Sequence, residues 1–397
     1  MKITQKSLCW YFLLFCTLFA CVQTGKMKEE EVLVVDVSRE YPVKKMLLQD
    51  IAKVEYIPLE TSEDFLWQGG VSSFTDRYIV NRQLQGNILL FDNKGKTMKV
   101  INRMGQGGEE YSKYSAFLLD EDKNELFMND SNKKKIFVYD LDGHFKRTLN
   151  YVSDKRYSNL NIFDDNRLIA YNERIADEEV NSFLIVSKQT GEIEQEFYLP
   201  QTERKLSGLH IIRTGENVTD ITQVYVIATY PMIANYPNFI ISDISNDTIY
   251  SINKSMEFTP VIIQHPSRPT MDPIRTLYRA EIESRDYLFL QVGEKKFDLT
   301  AKGKAYKSWD LVYDKKEGKI YEQDIRNGDY TTKKKINITP SFTQFSANNS
   351  NVLVEVLNAA DLVEAYENNQ LTGRLKEIAK ELDEEDNPVL LVARFEN

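Results

Sequence analysis

Ile88-Leu-Leu-Phe-Asp92-Asn-Lys-Gly95-Lys-Thr-Met-Lys-Val-Ile101 is followed, 48 residues on, by a second version of itself, Ile136-Phe-Val-Tyr-Asp140-Leu-Asp-Gly143-His-Phe-Lys-Arg-Thr-Leu149. Asp92 and Gly95 recur as Asp140 and Gly143. Each copy is an apolar run, a turn containing glycine, and a run that alternates polar and apolar residues. That pattern is a β-hairpin. A hairpin repeated at a period of about 40–50 residues, with further strands between the copies, is the signature of a propeller blade rather than a helical repeat.

Working outward, the unit extends along the chain as six pairs of apolar runs. The first members are Tyr78-Ile-Val80, Leu126-Phe-Met128, Leu168-Ile-Ala170, Val224-Tyr-Val-Ile227, Tyr287-Leu-Phe-Leu290 and Val352-Leu-Val-Glu-Val356. These are expected to be inner strands. The outer partners are the apolar runs at 88–91, 136–139, 183–186, 239–241, 311–313 and 389–395, five of them followed by a turn with Gly or Asn. The reading is all-β, a six-bladed propeller. A β-sandwich is the structural rival, but it does not explain the regular unit spacing. An open ring exposes sheet edges, so Val32-Leu-Val-Val-Asp-Val37 is expected to close it by pairing with the last strand, 389–395. One segment breaks the pattern: 359–383 places Leu362, Val363, Tyr366, Leu371, Leu375, Ile378 and Leu382 at helical spacing. It reads as a short α-helical insertion in the last blade, split near Gly373.

The first 21 residues read as an export leader. Lys2 and Lys6 precede an apolar stretch too short to cross a bilayer, which ends Leu18-Phe-Ala-Cys21. This layout resembles the lipobox of bacterial lipoproteins and makes Cys21 the expected lipidation site, with 22–31 as a tether and 32–397 as the propeller. All three cysteines, Cys9, Cys16 and Cys21, lie in the leader. The body therefore has no disulfide, thiol nucleophile or thiolate metal ligand. Removing Lys2 and Lys6 with the leader takes the formal net charge from −10 to −12. Such a balance argues against nucleic acid, whose binding rests on phosphate neutralisation. Membrane attachment is expected only through the lipid on Cys21, in the cell envelope and on the outer membrane.

Tyr56-Ile-Pro-Leu-Glu-Thr61, Met104-Gly-Gln-Gly-Gly-Glu-Glu-Tyr111, Ser242-Asp-Ile-Ser-Asn-Asp-Thr-Ile-Tyr250, Ala359-Ala-Asp-Leu-Val-Glu-Ala-Tyr366 and Asp386-Asn-Pro-Val-Leu-Leu391 resemble stretches of the six-bladed β-propeller lipoproteins of gut-dwelling Gram-negative bacteria. The chain is similar, more distantly, to NHL-type propellers. Gly108-Glu109 stands where those more often have Pro-Gly. The resemblance implies the fold and the envelope location, and little chemistry.

Signals for catalysis are sparse. His144, His210 and His265 are not spaced as metal ligands, and no metal or cofactor is expected. Arg103-Met-Gly-Gln-Gly-Gly lacks the downstream Lys-Ser/Thr of a phosphate loop and reads as a blade connection. Two loops stand out as candidate ligand contacts. One carries Tyr230 and Tyr236, aromatics suited to stacking on a sugar. The other, 265–279, carries His265, Arg268, Asp272 and Arg275, with the two arginines as anion clamps. The reading that follows is a monomeric, non-catalytic lipoprotein presenting a propeller face to a glycan or an envelope protein partner. The alternative is a propeller-fold hydrolase or lyase acting on extracellular polysaccharide. A sensor or assembly subunit is a third possibility.

Overall fold

The structure is a computed structural model. It describes residues 32–396 apart from 84, 113–115, 153–154, 158, 173–181, 200–208, 214–220, 227–231, 236–237, 243–245, 298–305, 339–345 and 348–350. The fold is all-β, with few helices. Five sheets of four or more strands form propeller blades, each an antiparallel meander in chain order. Blade one contains Val71–Phe74, Tyr78–Arg82, Ile88–Asp92 and Thr97–Ile101. Blade two contains Ala116–Asp120, Glu125–Asp130, Lys135–Asp140 and Phe145–Asn150. Blade three contains Asn159–Ile162, Arg167–Asn172, Ser182–Ser187 and Ile193–Phe197. Blade four contains Met232–Asn235, Asn238–Ile241, Thr248–Ile252 and Phe258–His265. Blade five contains Arg275–Glu283, Tyr287–Phe297, Tyr306–Asp314 and Lys319–Arg326. A three-stranded sheet follows, Val352–Leu357, Val389–Arg394 and Lys53–Pro58, and Leu209–Arg213 forms a separate hairpin with Ile221–Val226.

The sequence pattern follows from the position of each strand. Middle strands are buried on both faces, so Ile88-Leu-Leu-Phe91 and Leu126-Phe-Met128 are unbroken apolar runs. Outermost strands are less covered, so Thr97–Ile101 mixes polar and apolar residues. In blades one, two, three and five the paired runs read as inner and outer strands are in fact the second and third strands, and in the three-stranded sheet Val352–Leu357 is an edge strand and Val389–Arg394 the middle one. The fourth pair is corrected further. The strand Ile221–Val226 pairs with Leu209–Arg213, while Asn238–Ile241 lies between Met232–Asn235 and Thr248–Ile252. Six expected units thus become five full blades and one three-stranded sheet among the described residues.

The hydrophobic core is divided into clusters between neighbouring sheets. Val80, Leu90 and Ile101 of blade one meet Leu119, Leu126 and Phe137 of blade two. Equivalent clusters join blades two to three, three to four, and four to five. Blade five meets the three-stranded sheet through Phe289, Val312, Leu391 and Phe395. That sheet meets blade one through Ile57, Leu390 and Val392 against Phe74, Ile79 and Phe91. Tight turns lock the same seams. Gly143 approaches Ile101 of the preceding blade, Gly191 approaches Leu149, and Gly95 approaches Pro58.

The N-terminal segment runs along three sheets in turn. Leu33–Asp36 adds in parallel to the outer edge of blade four, and Val43–Leu47 adds in parallel to the edge of blade five. Lys53–Pro58 then pairs with Val389–Arg394. Closure therefore uses Lys53–Pro58, not Val32-Leu-Val-Val-Asp-Val37 as expected. Burial explains the choice. The closing strand has neighbours on both faces, with Val54 and Tyr56 toward one core and Ile57 and Leu59 toward the other. Leu33–Asp36 can bury only one face, with Val35 covered and Val34 57% exposed.

The expected insertion is two helices, Ala359–Glu367 and Gly373–Ala379, with Leu362, Leu375 and Ile378 turned into the core shared with blade five. On the strand beneath, Glu355 shares a face with Leu353 and Leu357, which both point to that core. Burial pushes the Glu355 carboxyl above its ordinary value of 4.5, and Lys334 offsets this only in part. A raised folded value means that ionisation is penalised in the folded state. Stability is therefore lost as pH rises from 4.5 through the folded value. Glu355→Gln is expected to raise the denaturant midpoint at neutral pH, with the gain shrinking toward pH 4.5. Unfolding curves at the two pH values check it.

Candidate functional site

Residues 37–42 link the two parallel edge strands and form a strap from blade four to blade five. Asp36 starts its turn. The carboxylate Oδ1 accepts hydrogen bonds from the Ser38 amide at 2.9 Å and the Ser38 hydroxyl at 2.6 Å, a local bonding habit of Asp at strand ends. The Ser38 hydroxyl is the main reason that the Asp36 carboxyl sits below the usual carboxylate range. The Tyr41 hydroxyl donates to Asp36 O at 2.9 Å, and burial lifts its pKa, so it stays a donor.

Arg275, at the start of blade five, ties down the other side. Its Nη1 donates to Val37 O at 2.9 Å and to Ser38 O at 3.1 Å. Its guanidinium lies 4.9 Å from the Trp309 ring centroid, with Glu294 at 3.7 Å. Between strap and blade is a cleft of about 370 Å³ lined by Val37, Ser38, Arg39, Glu40, Tyr41, Arg275, Val292, Trp309, Leu311 and Glu322. Arg39 lies 4.9 Å over the Tyr41 ring and makes no ion pair among the described residues. Rings that each carry a guanidinium over one face, an Arg39 without an ion pair among the described residues, and carboxylates can recognise a polar ligand with apolar faces.

The sequence candidates fare unequally. Tyr230 and Tyr236 lie outside the described side chains. His265 ends the outer strand of blade four, exposed, and its carbonyl accepts the Val37 N–H at 2.7 Å. Arg268 is 1% exposed and faces Asp247 at 3.6 Å. It is an interior cation held by a carboxylate, not a clamp for a ligand, because a guanidinium is stable at that depth only when paired. Asp272 is exposed on the connection between blades four and five. Arg275 alone lines the cleft, and there it serves to hold the strap. Arg39, Tyr41 and Trp309 were not singled out. No local motif marks them, since the strap reaches blade five from more than 230 residues away in the chain.

Other constellations are accounted for locally. Asp140, Asp142 and His144 bring ligand-type atoms within 4.8 Å of one another. Their atoms are engaged: Asp140 Oδ1 accepts the amides of Asp142 and His144, His144 Nδ1 lies 3.0 Å from Asp140 Oδ2, and Lys99 pairs with Asp142. The glycine-rich loop closes on itself as a blade connection. The Gly107 amide donates to Glu110 Oε2 at 2.8 Å, and Lys133 Nζ donates to Glu110 O at 2.7 Å.

A profile of the family described as a domain of unknown function (DUF4934) matches residues 32–394. The chain belongs to this family. Its match spans every blade and both helices, so the strap and its cleft lie within the DUF4934 unit. No functionally curated protein matches the chain in sequence. A solved structure from Bacteroides fragilis, a presumed exported protein, is similar with a TM-score of 0.60 and 16% identity over 89% of this chain and 99% of that one. This likeness bears out the propeller fold. A DUF4221 member from Bacteroides vulgatus has a TM-score of 0.47 and 11% identity over 87% and 97%, too loose to carry more. Among the described residues no helix is long and apolar enough to cross a membrane.

Proposed function

We propose that the protein is an exported, lipid-anchored binding module whose strap cleft takes a saccharide without turning it over. The observation that carries this is the lining of one cleft by Trp309, Tyr41, the uncommitted Arg39 and the carboxylates of Glu40 and Glu322. Rings cover the apolar face of a sugar, and the charged groups meet its hydroxyls. The leader ending at Cys21 and the presumed export of the Bacteroides fragilis relative support the location in the envelope. We also read the three-stranded sheet as a short sixth blade. The support is its core on both flanks and the Gly95–Pro58 approach, which repeats the Gly143–Ile101 and Gly191–Leu149 contacts.

Calorimetric titration of the mature protein against a panel of neutral and acidic oligosaccharides tests the reading. A saccharide on the panel binds, no product accumulates, and Trp309→Ala weakens binding at least about tenfold, as loss of a central aromatic anchor does. Cleavage products would overturn the non-catalytic part. Binding that ignores Trp309 would remove the cleft.

A further inference from the structure

The strap has a second cleft on its other side. It measures about 530 Å³ and is lined by Leu33, Val34, Asp36, Tyr313, Lys319 and Tyr321, among others, and it shares Arg39 and Tyr41 with the first. The two openings are carried by one strand. Trp309 and Leu311 line the first, Tyr313 lines the second, and all three belong to Tyr306–Asp314. Alternate residues of a strand share a face, and at about 3.3 Å per residue Trp309 and Tyr313 stand roughly 13 Å apart on it. No monosaccharide covers that span.

The charges differ between the two sides. The first cleft has Glu40 and Glu322 at its rim. In the second, the Asp36 carboxylate keeps its charge while accepting from the Ser38 amide and hydroxyl, and the two cations of that lining outnumber it. Arg39 and Lys319 stand there without an ion pair among the described residues. Two uncommitted cations on a body of net negative charge mark a place for an anionic group.

We propose that the two clefts form one elongated site for an acidic oligosaccharide. One sugar residue sits against Trp309, a later residue against Tyr313 and Tyr321, and Arg39 at the junction with Lys319 meets the carboxylates. The proposal rests on the saccharide reading of the first cleft and adds length and charge to it. Occupying both clefts with one chain makes the second contact intramolecular, so affinity climbs with chain length until both are filled.

The test is calorimetric titration of the mature protein with galacturonate, its trimer and its hexamer, with uncharged galactose oligomers of the same lengths beside them. Affinity is expected to rise at least about tenfold from monomer to hexamer. Tyr313→Ala should cancel that gain. Lys319→Glu, at an exposed position that folding tolerates, should cancel the preference for acidic over neutral oligomers. Thermal midpoints of both variants verify folding. A monomer that binds through Trp309 with no gain on lengthening overturns the elongated site and leaves the single-cleft reading standing. Equal affinity for neutral and acidic hexamers overturns the role of Arg39 and Lys319. No binding by any saccharide overturns both readings.

Discussion

Gly95→Ala is expected to destabilise the protein by about 3 kcal/mol, while Gly318→Ala at the corresponding turn of blade five costs only about 1 kcal/mol. Both glycines follow the third strand of a blade and both have positive φ, +86° and +65°. An L-residue there is strained by about 1–2 kcal/mol. Surroundings separate the two. A Cβ on Gly95 would lie 2.2 Å from Pro58 O, a backbone atom of the closing strand, whereas a Cβ on Gly318 would meet nothing within 4 Å. Backbone cannot swing aside as a side chain can, so the first substitution adds an overpacking cost of about 1–3 kcal/mol. The Gly95 carbonyl also accepts the Glu60 amide at 2.8 Å, so relief of the clash would strain the exit of the closing strand. Denaturant midpoints of the two variants decide the matter. Equal losses would mean that the seam between Lys53–Pro58 and blade one contributes nothing beyond turn strain.

That seam also shows which parts of the fold the sequence discloses. Leu126-Phe-Met128 and Ile136-Phe-Val-Tyr139 are legible because both faces of a middle strand are covered, and Gly95, Gly143 and Gly191 are legible because tight hairpin turns favour positive φ. The fourth unit misleads because four strand-like runs follow one another from Ile221–Val226 to Thr248–Ile252, and periodicity does not say which two are neighbours. The N-terminal strands are illegible for a different reason. Leu33 pairs with Ile262 in a parallel register with no turn to signal it. The cleft is illegible too. Arg39, Tyr41 and Trp309 each read as an ordinary strand or turn residue until the strap brings them together. Arg268 shows the converse. A basic residue in a Pro-stiffened loop reads as exposed, and Asp247, 21 residues earlier, helps to make its burial tolerable.

Lys188→Met is expected to cost about 3–5 kcal/mol, the cost of leaving a buried charge without its partner. Lys188 Nζ lies 2.6 Å from Asp120 Oδ2, and both side chains are buried at the seam between blades two and three. Arg147 extends the network: its Nε donates to Lys188 O at 2.9 Å, and its two Nη groups fork onto Glu125 at 2.8 and 2.7 Å. Burial would raise the Glu125 carboxyl, but hydrogen bonds from Arg147 and Lys146 outweigh it and hold the group below its ordinary 4.5. Its contribution is present above pH 4.5 and is lost as pH falls through the lowered folded value, so the seam should loosen in acid. Two companions isolate the cause. Lys188→Met with Asp120→Leu removes both charges and should recover most of the loss, since an apolar pair of similar volume can replace a buried ion pair. Lys380→Met, which breaks an exposed pair with Glu381 at 3.4 Å, should change stability by less than about 1 kcal/mol. If the double variant is as unstable as Lys188→Met alone, the seam depends on the shape and hydrogen bonding of the lysine chain, and the stranded Asp120 charge is not the source of the loss.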